Sequence, residues 1–71
     1  MDPNANLQEQ AELIQELTEY ADNPDHPAVD NALTDLALLR VALRQWLNRG
    51  GFEPDWTLAP NAAKYYGKGK V

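Results

Sequence analysis

The sequence predicts an all-α fold: an antiparallel helical hairpin with helices at about residues 5–22 and 27–49. Two observations predict it. Apolar residues recur at helical spacing in both segments, and a proline-rich link too short for anything but a tight turn joins them. Because a short connection places neighbouring helices antiparallel, the two segments should pack side by side. Residues 1–66 then form one small domain, and residues 67–71 form a flexible basic tail.

The second helix has an apolar seam that continues for about five turns at alternating steps of three and four residues. Leu33 and Leu47 lie beside this seam and widen it into the stripe that a globular helix buries. Gly50 and Gly51 should end the helix, because glycine adopts the left-handed C-cap conformation without steric cost. The seam consists of Val29, Ala32, Leu36, Leu39, Leu43 and Trp46.

The first helix is amphipathic, and its acidic residues lie opposite its apolar residues. Two starts fit the sequence: Asp2 followed by Pro3, or Asn6 with Glu9 as a capping box. The apolar face consists of Leu7, Ala11, Leu13, Ile14, Leu17, Tyr20 and Ala21, and the acidic face of Glu9, Glu12, Glu16 and Glu19.

The link between the helices contains two prolines, so the first helix should end by about Asp22. Asp25 or His26 can cap the second helix, with Pro27 in its first turn. A metal site at Asp22, Asp25, His26 and Asp30 is the alternative, but the link lacks the glycine and glutamate of a calcium loop. Capping explains these residues, and no metal or cofactor site is expected.

After the second helix, residues 52–56 are predicted to form an extended latch over the end of the hairpin. Phe52 should fold back on the last helical turn, and Trp56 should pack near Trp46 or Leu47. Thr57 is expected to cap a short third helix at about residues 58–66, with Pro60 in its first turn.

The composition excludes several kinds of protein. The 71 residues include no cysteine, so disulfides and cysteine-based zinc sites are absent. A chain of this size is near the limit for folding alone, which favours self-association. Neither a signal peptide nor a membrane span is recognisable, and a cytoplasmic protein is expected. With no serine or cysteine and one histidine, an enzyme is not expected.

Charge is distributed unevenly between the halves of the chain. Residues 1–35 hold nine acidic residues and no Lys or Arg, whereas residues 36–71 hold six basic residues and two acidic ones. This asymmetry favours contact between the halves, within one chain or between chains. Arg40 and Arg44 flank the seam and could pair with glutamates of the first helix. The net charge of −5 disfavours binding to nucleic acid.

Leu38, Val41 and Ala42 lie on the side of the second helix opposite Leu36 and Leu43. A helix that is apolar on two sides is expected to be buried on two sides. The predicted interaction surface is therefore Leu38, Val41 and Ala42, together with the glutamate face. The predicted partner is a second copy, forming a homodimer or higher oligomer of paired hairpins, and another protein is a further expected partner.

Three other roles fit the residues. Tyr65, Tyr66 and Lys68 interleave aromatic and basic side chains, as in proteins that bind single-stranded nucleic acid, and the glutamate face resembles a DNA mimic. A small virion or assembly component is a second alternative. Sequestration of a small molecule at an oligomer interface, with Trp56 or Tyr65 stacking on it, is the third.

The run from Trp46 to Trp56, WLNRGGFEPDW, resembles a pattern in short accessory proteins of actinobacterial phages. In those proteins a helix ends in WL-x-x-GGF and the chain continues through a proline to a second tryptophan. Most of them have no known role, so the resemblance implies a phage origin and transfers no activity. The function predicted from the sequence is a non-catalytic protein-interaction module, a phage factor that binds a host protein.

Overall fold

The computed structural model describes residues 1–68, and every regular element within them is helical. Helix α1 spans Pro3–Glu19, α2 spans Pro27–Asn48 and α3 spans Pro60–Ala63, with 3₁₀ turns at Trp56–Leu58 and Lys64–Tyr66. α1 packs along α2, and the segment after α2 returns to pack on α1. The predicted all-α hairpin is confirmed. Residues 69–71 of the predicted basic tail lie outside the described residues.

Helix α1 begins at the first of the two predicted starts. The Asp2 carboxylate accepts hydrogen bonds from the amides of Asn4 and Ala5, at 3.0 and 3.2 Å, and Pro3 occupies the first helical position. The helix ends at Glu19, about three residues before the predicted end. There the Asn23 amide donates to the Tyr20 carbonyl at 2.9 Å, which starts the turn early.

Both ends of α2 have the predicted capping residues. Nδ1 of His26 accepts a hydrogen bond from the Ala28 amide at 3.0 Å, and Pro27 is the first helical residue. At the other end Gly50 has φ 85°, its amide donates to Leu47, and the Gly51 amide donates to Trp46. These two bonds form a Schellman motif, which satisfies carbonyls that the helix leaves without partners.

The core lies at the open end of the hairpin. Leu7 and Leu43 are fully buried there, and Ala59 and Ala62 of the returning segment complete the cluster. Burial of a leucine side chain contributes about 1.5–3 kcal/mol, so this pair is a large part of the driving force. The predicted seam of α2 is buried or half-buried at every position: Val29, Ala32, Leu36, Leu39, Leu43 and Trp46.

Leu33 does not belong to this core, although it was predicted to widen the seam. Its side chain is 50% exposed. It follows Ala32, and successive helical residues are rotated by about 100°, which turns Leu33 away from α1. On the other side of the seam Leu47 is half-buried, as predicted.

The segment after α2 is held by its backbone more than by its apolar side chains. Nε1 of Trp46 donates to the Phe52 carbonyl at 2.8 Å, while the Phe52 ring meets the indole edge-on and stays exposed. The Asp55 amide donates to Oδ1 of Asn4 at 2.6 Å, which ties the segment to the first turn of α1. The predicted latch is therefore present.

The third helix differs in detail from the prediction for residues 58–66. Two 3₁₀ turns flank one turn of α-helix, and Asp55, rather than Thr57, caps the first of them by accepting from the Thr57 amide. Pro60 begins α3 as predicted. The ring of Trp56 packs on Tyr66, with centroids 5.3 Å apart, rather than on the Trp46 ring.

A buried polar network joins the three parts of the fold. Gln10 is fully buried and donates from Nε2 to Oδ1 of Asn6 at 2.7 Å and to the Tyr66 hydroxyl at 3.1 Å. Nδ2 of Asn6 in turn donates to the Leu39 carbonyl of α2 at 3.2 Å. Because buried polar groups need partners, this network fixes how α1, α2 and the C-terminal segment fit together.

Substitution of Gly51 by alanine should destabilise the fold through one specific neighbour. A Cβ atom at this position would overlap the Trp46 indole, which should cost about 1–3 kcal/mol. Gly50→Ala meets open space but must hold a positive φ, at about 1–2 kcal/mol. Urea unfolding should show that the Gly51→Ala cost shrinks in a Trp46→Leu background, whereas the Gly50→Ala cost does not. Equal costs in both backgrounds would contradict the overlap.

Removal of the buried amide should uncouple the three parts of the fold. Gln10→Met and Tyr66→Phe should each lower the free energy of unfolding by about 1–2 kcal/mol, because each leaves a buried polar partner unsatisfied. The double variant should cost less than the sum of the two, by about 0.5 kcal/mol or more. Gln8→Met, at an exposed position of α1, is the matched control and should change stability little. Strictly additive costs would show that the two side chains act independently.

Candidate protein-interaction surface

The side of α2 that faces away from α1 has a second regular stripe. Its members recur at steps of three and four residues, as in a coiled-coil seam, and all of them are exposed. The two central members are apolar, whereas the outer four are amides and a hydroxyl. This stripe is the outer face of α2, and it consists of Asn31, Thr34, Leu38, Val41, Gln45 and Asn48.

Leu38 and Val41 form the apolar centre of the outer face, at 64% and 55% exposure. They stay exposed because Leu36 and Leu43 direct the opposite side of α2 into the core. The structure thus places two of the predicted surface residues together. The third, Ala42, is half-buried on the flank of the helix and contributes little to the exposed centre.

A shallow groove with a basic lining runs beside the outer face. It has a volume of about 330 Å³, and Tyr65 forms the wall opposite α2. Cζ of Arg40 lies 4.1 Å from the centre of the Tyr65 ring, and Cζ of Arg44 lies 4.9 Å from that of Tyr66. Guanidinium groups commonly stack on aromatic rings in this way. The other lining residues are Ala37, Val41 and Gln45.

The predicted pairing of Arg40 and Arg44 with glutamates of α1 is wrong. Within residues 1–68 the one ion pair joins Nζ of Lys68 to Oε1 of Glu53 at 3.6 Å. The two arginines lie on the C-terminal tyrosines instead, because the returning segment brings those rings to their side of α2. Nε of Arg40 is buried and has no hydrogen-bond partner in this part of the chain.

The acidic face of α1 points to solvent. Glu9, Glu12 and Glu19 are exposed and Glu16 is half-buried, and within residues 1–68 none of the four has a cationic partner. Exposed carboxylates along one helix repel each other by a few tenths of a kcal/mol per pair and keep a small chain soluble. The acidic face and the basic groove therefore lie on different surfaces of the molecule.

The aromatic residues of the C-terminal segment are engaged within the fold. Tyr66 is half-buried and bonded to Gln10, and the Tyr65 ring carries Arg40 on one face. Nε1 of Trp56 donates to Glu53 at 2.7 Å, and this bond, with the Lys68 ammonium, holds the pKa of the Glu53 carboxyl below its usual value. Tyr65 lines the groove beside the outer face, whereas Trp56 does not.

His26 of the interhelical turn has two structural partners. His26 caps α2 and stacks on Tyr20, with ring centroids 4.6 Å apart. Within the part of the chain that the structure describes, no group of three or more metal-ligating side chains converges. Asp30 lies in the first turn of α2, where its charge complements the helix dipole.

Comparison of the chain with protein-family models, with curated proteins and with solved structures found no match. Among the described residues, none of the helices is both long enough and apolar enough to cross a membrane. The resemblance of residues 46–56 to phage accessory proteins stays a prediction.

Two features of this surface were not predicted from the sequence: the regular stripe and the groove. The regular stripe around Leu38 and Val41 is visible in the spacing of the polar residues, since Thr34 and Gln45 continue the heptad on either side. The groove has no comparable signal. It requires that Tyr65 fold back onto α2, and that depends on the buried bond between Tyr66 and Gln10.

The stability of the fold should fall at alkaline pH through Tyr66. Burial raises the pKa of its hydroxyl above the ordinary value of 10.0. A raised pKa means that the folded state favours the neutral phenol. The contribution of the neutral phenol to the free energy of unfolding is therefore complete below pH 10.0, and it is lost as the pH rises through the pKa of the folded state. Urea unfolding as a function of pH should show a steeper alkaline loss for the natural chain than for Tyr66→Phe. Parallel curves would contradict it.

Proposed function

We propose that this chain is a non-catalytic protein-interaction module whose binding surface is the outer face of α2. The observation that supports the proposal is the exposure of Leu38 and Val41 at the centre of a regular helical stripe. Burial of each side chain against a partner would contribute about 1.5–3 kcal/mol before the costs of association.

The surroundings of these two residues favour a helix as the partner element. Positions 34, 38, 41 and 45 have the spacing with which one helix packs along another. α2 is held on its other side by the core, so the outer face is rigid before binding and loses little backbone entropy.

The basic groove supplies a charge preference to the same surface. Arg40 and Arg44 lie along one edge of the outer face, on an otherwise acidic chain. A partner helix with acidic residues beside its apolar stripe therefore fits better than a basic one. A phage origin, as the resemblance implies, makes a host protein one class of partner and a second copy of the chain another.

Binding to single-stranded nucleic acid has less support. Stacking requires open aromatic faces, and Tyr66 is packed on Trp56 while Tyr65 carries Arg40. Lys68 is paired with Glu53, and the chain has a net charge of −5.

Site-specific photocrosslinking tests the proposed surface. A photoreactive amino acid at position 38 or 41, in cells of the natural host, should give a discrete protein adduct. The matched control is position 58, because Leu58 is 49% exposed but lies on the 3₁₀ turn away from α2. Adducts at 38 and 41 but not at 58 would support the proposal. Absence of adducts at 38 and 41, or equal labelling at all three positions, would overturn it.

A further inference from the structure

We propose that the occupant of the outer face is the outer face of a second copy, in a two-fold symmetric dimer with antiparallel α2 helices. The inference rests on the proposed function, since it names the partner of the same surface. It has two grounds: the order of side chains along the outer face and the distribution of charge along α2.

The outer face has nearly the same chemistry read from either end. From the N-terminal end it runs amide, hydroxyl, leucine, valine, amide and amide, and its midpoint lies between Leu38 and Val41. When two copies lie antiparallel about this midpoint, Leu38 of each is level with Val41 of the other. The polar ends likewise meet polar ends, Thr34 opposite Gln45 and Asn31 opposite Asn48. Every apolar side chain is then buried against an apolar one.

Charge along α2 distinguishes antiparallel from parallel pairing. The N-terminal half carries Asp30 and Asp35, and the C-terminal half carries Arg40 and Arg44, followed by Arg49 as the C-cap residue. Antiparallel pairing sets the acidic half of each helix beside the basic half of the other, and it also opposes the two helix dipoles. Parallel pairing would set acid beside acid and base beside base.

The charge of the ends is also matched in detail. Asp30 and Arg49 are equally far from the midpoint, so in the antiparallel dimer each Asp30 is level with an Arg49 of the second copy. Both residues are exposed and have no ion-pair partner within residues 1–68. A two-fold axis repeats this arrangement, so an acidic and a basic side chain lie at the same level at both ends of the dimer.

Small side chains allow the helices to approach. Ala37 and Ala42 flank the midpoint at equal distance and have no bulk beyond Cβ. The groove of Arg44 and Tyr65 lies along the edge of this contact, so the second copy would cover part of its mouth. The groove would therefore be less open in the dimer than in the monomer.

Sedimentation equilibrium tests the association itself. The mass should rise with concentration from 8.0 kDa to twice that value and stop there, because a two-fold contact is closed. Val41→Glu should raise the dissociation constant by about a hundredfold or more, since symmetry buries the new charge twice. Leu58→Glu, at a similarly exposed residue, is the control and should dimerise normally. Circular dichroism should show both variants folded.

Disulfide trapping tests the relative orientation of the two α2 helices, and the sequence has no native cysteine that could form competing cross-links. A mixture of Thr34→Cys and Gln45→Cys should give the mixed dimer, since helices about 8–10 Å apart bring facing Cα atoms within disulfide reach. Thr34→Cys alone should cross-link poorly, because its two copies are roughly 16 Å apart along the axis.

Three outcomes would overturn the inference: a monomer at the highest concentration, a mass that grows beyond the dimer, or efficient trapping of Thr34→Cys alone, which indicates parallel helices. None of these results depends on the photocrosslinking of positions 38 and 41 to other proteins. A monomeric chain with a specific adduct to another protein would retain the proposed function without the dimer. A dimer without adducts of any other protein would identify the second copy as the partner.

Discussion

The buried amide of Gln10 is the interaction on which the arrangement of this small fold depends. It lies at the only place where α1, α2 and the C-terminal segment come within hydrogen-bonding distance of one another among the described residues, through Asn6, the Leu39 carbonyl and Tyr66. Apolar contacts alone would allow α1 to slide along α2, because leucine and alanine surfaces fit in several registers. A buried hydrogen-bond donor needs an acceptor, so only a few of these registers are compatible with the amide of Gln10. The position of Tyr65 on Arg40, and hence the shape of the groove, follows from this constraint.

The sequence predicted the parts of the structure that local rules control. The two helices, the proline link, the cap by His26 and the glycine stop at Gly50 each depend on residues within one or two turns of chain. The predictions were wrong where distant residues compete. Arg40 and Arg44 were assigned to glutamates on grounds of charge, but two tyrosines reach them from a segment that the helical pattern does not place. The burial of Gln10 and Asn6 was not predicted, because burial of a polar residue has no sequence pattern.

The candidate surface was predicted only in part: local helical geometry gives the exposure of Leu38 and Val41 but not the partial burial of Ala42. The exposure of Leu38 and Val41 follows from helical geometry once Leu36 and Leu43 define the buried side. Ala42 is half-buried, which the helical spacing did not predict. Two exposed branched side chains at the middle of α2 carry some cost in solubility. Their surroundings of amides and a hydroxyl limit that cost in the monomer.

Because the core lies at one end of the hairpin, the two ends of the molecule differ in how well their side chains are buried. Among residues 1–68, every buried side chain belongs to the first turns of α1, to α2 from Ala32 onward or to the C-terminal segment, and none lies between residues 11 and 31. The loop end, with Tyr20 stacked on His26, therefore opens at a lower free energy than the rest and separates without exposing the core. Both tryptophans belong to the core end, so their fluorescence follows the undocking of the C-terminal segment and is blind to fraying at the loop.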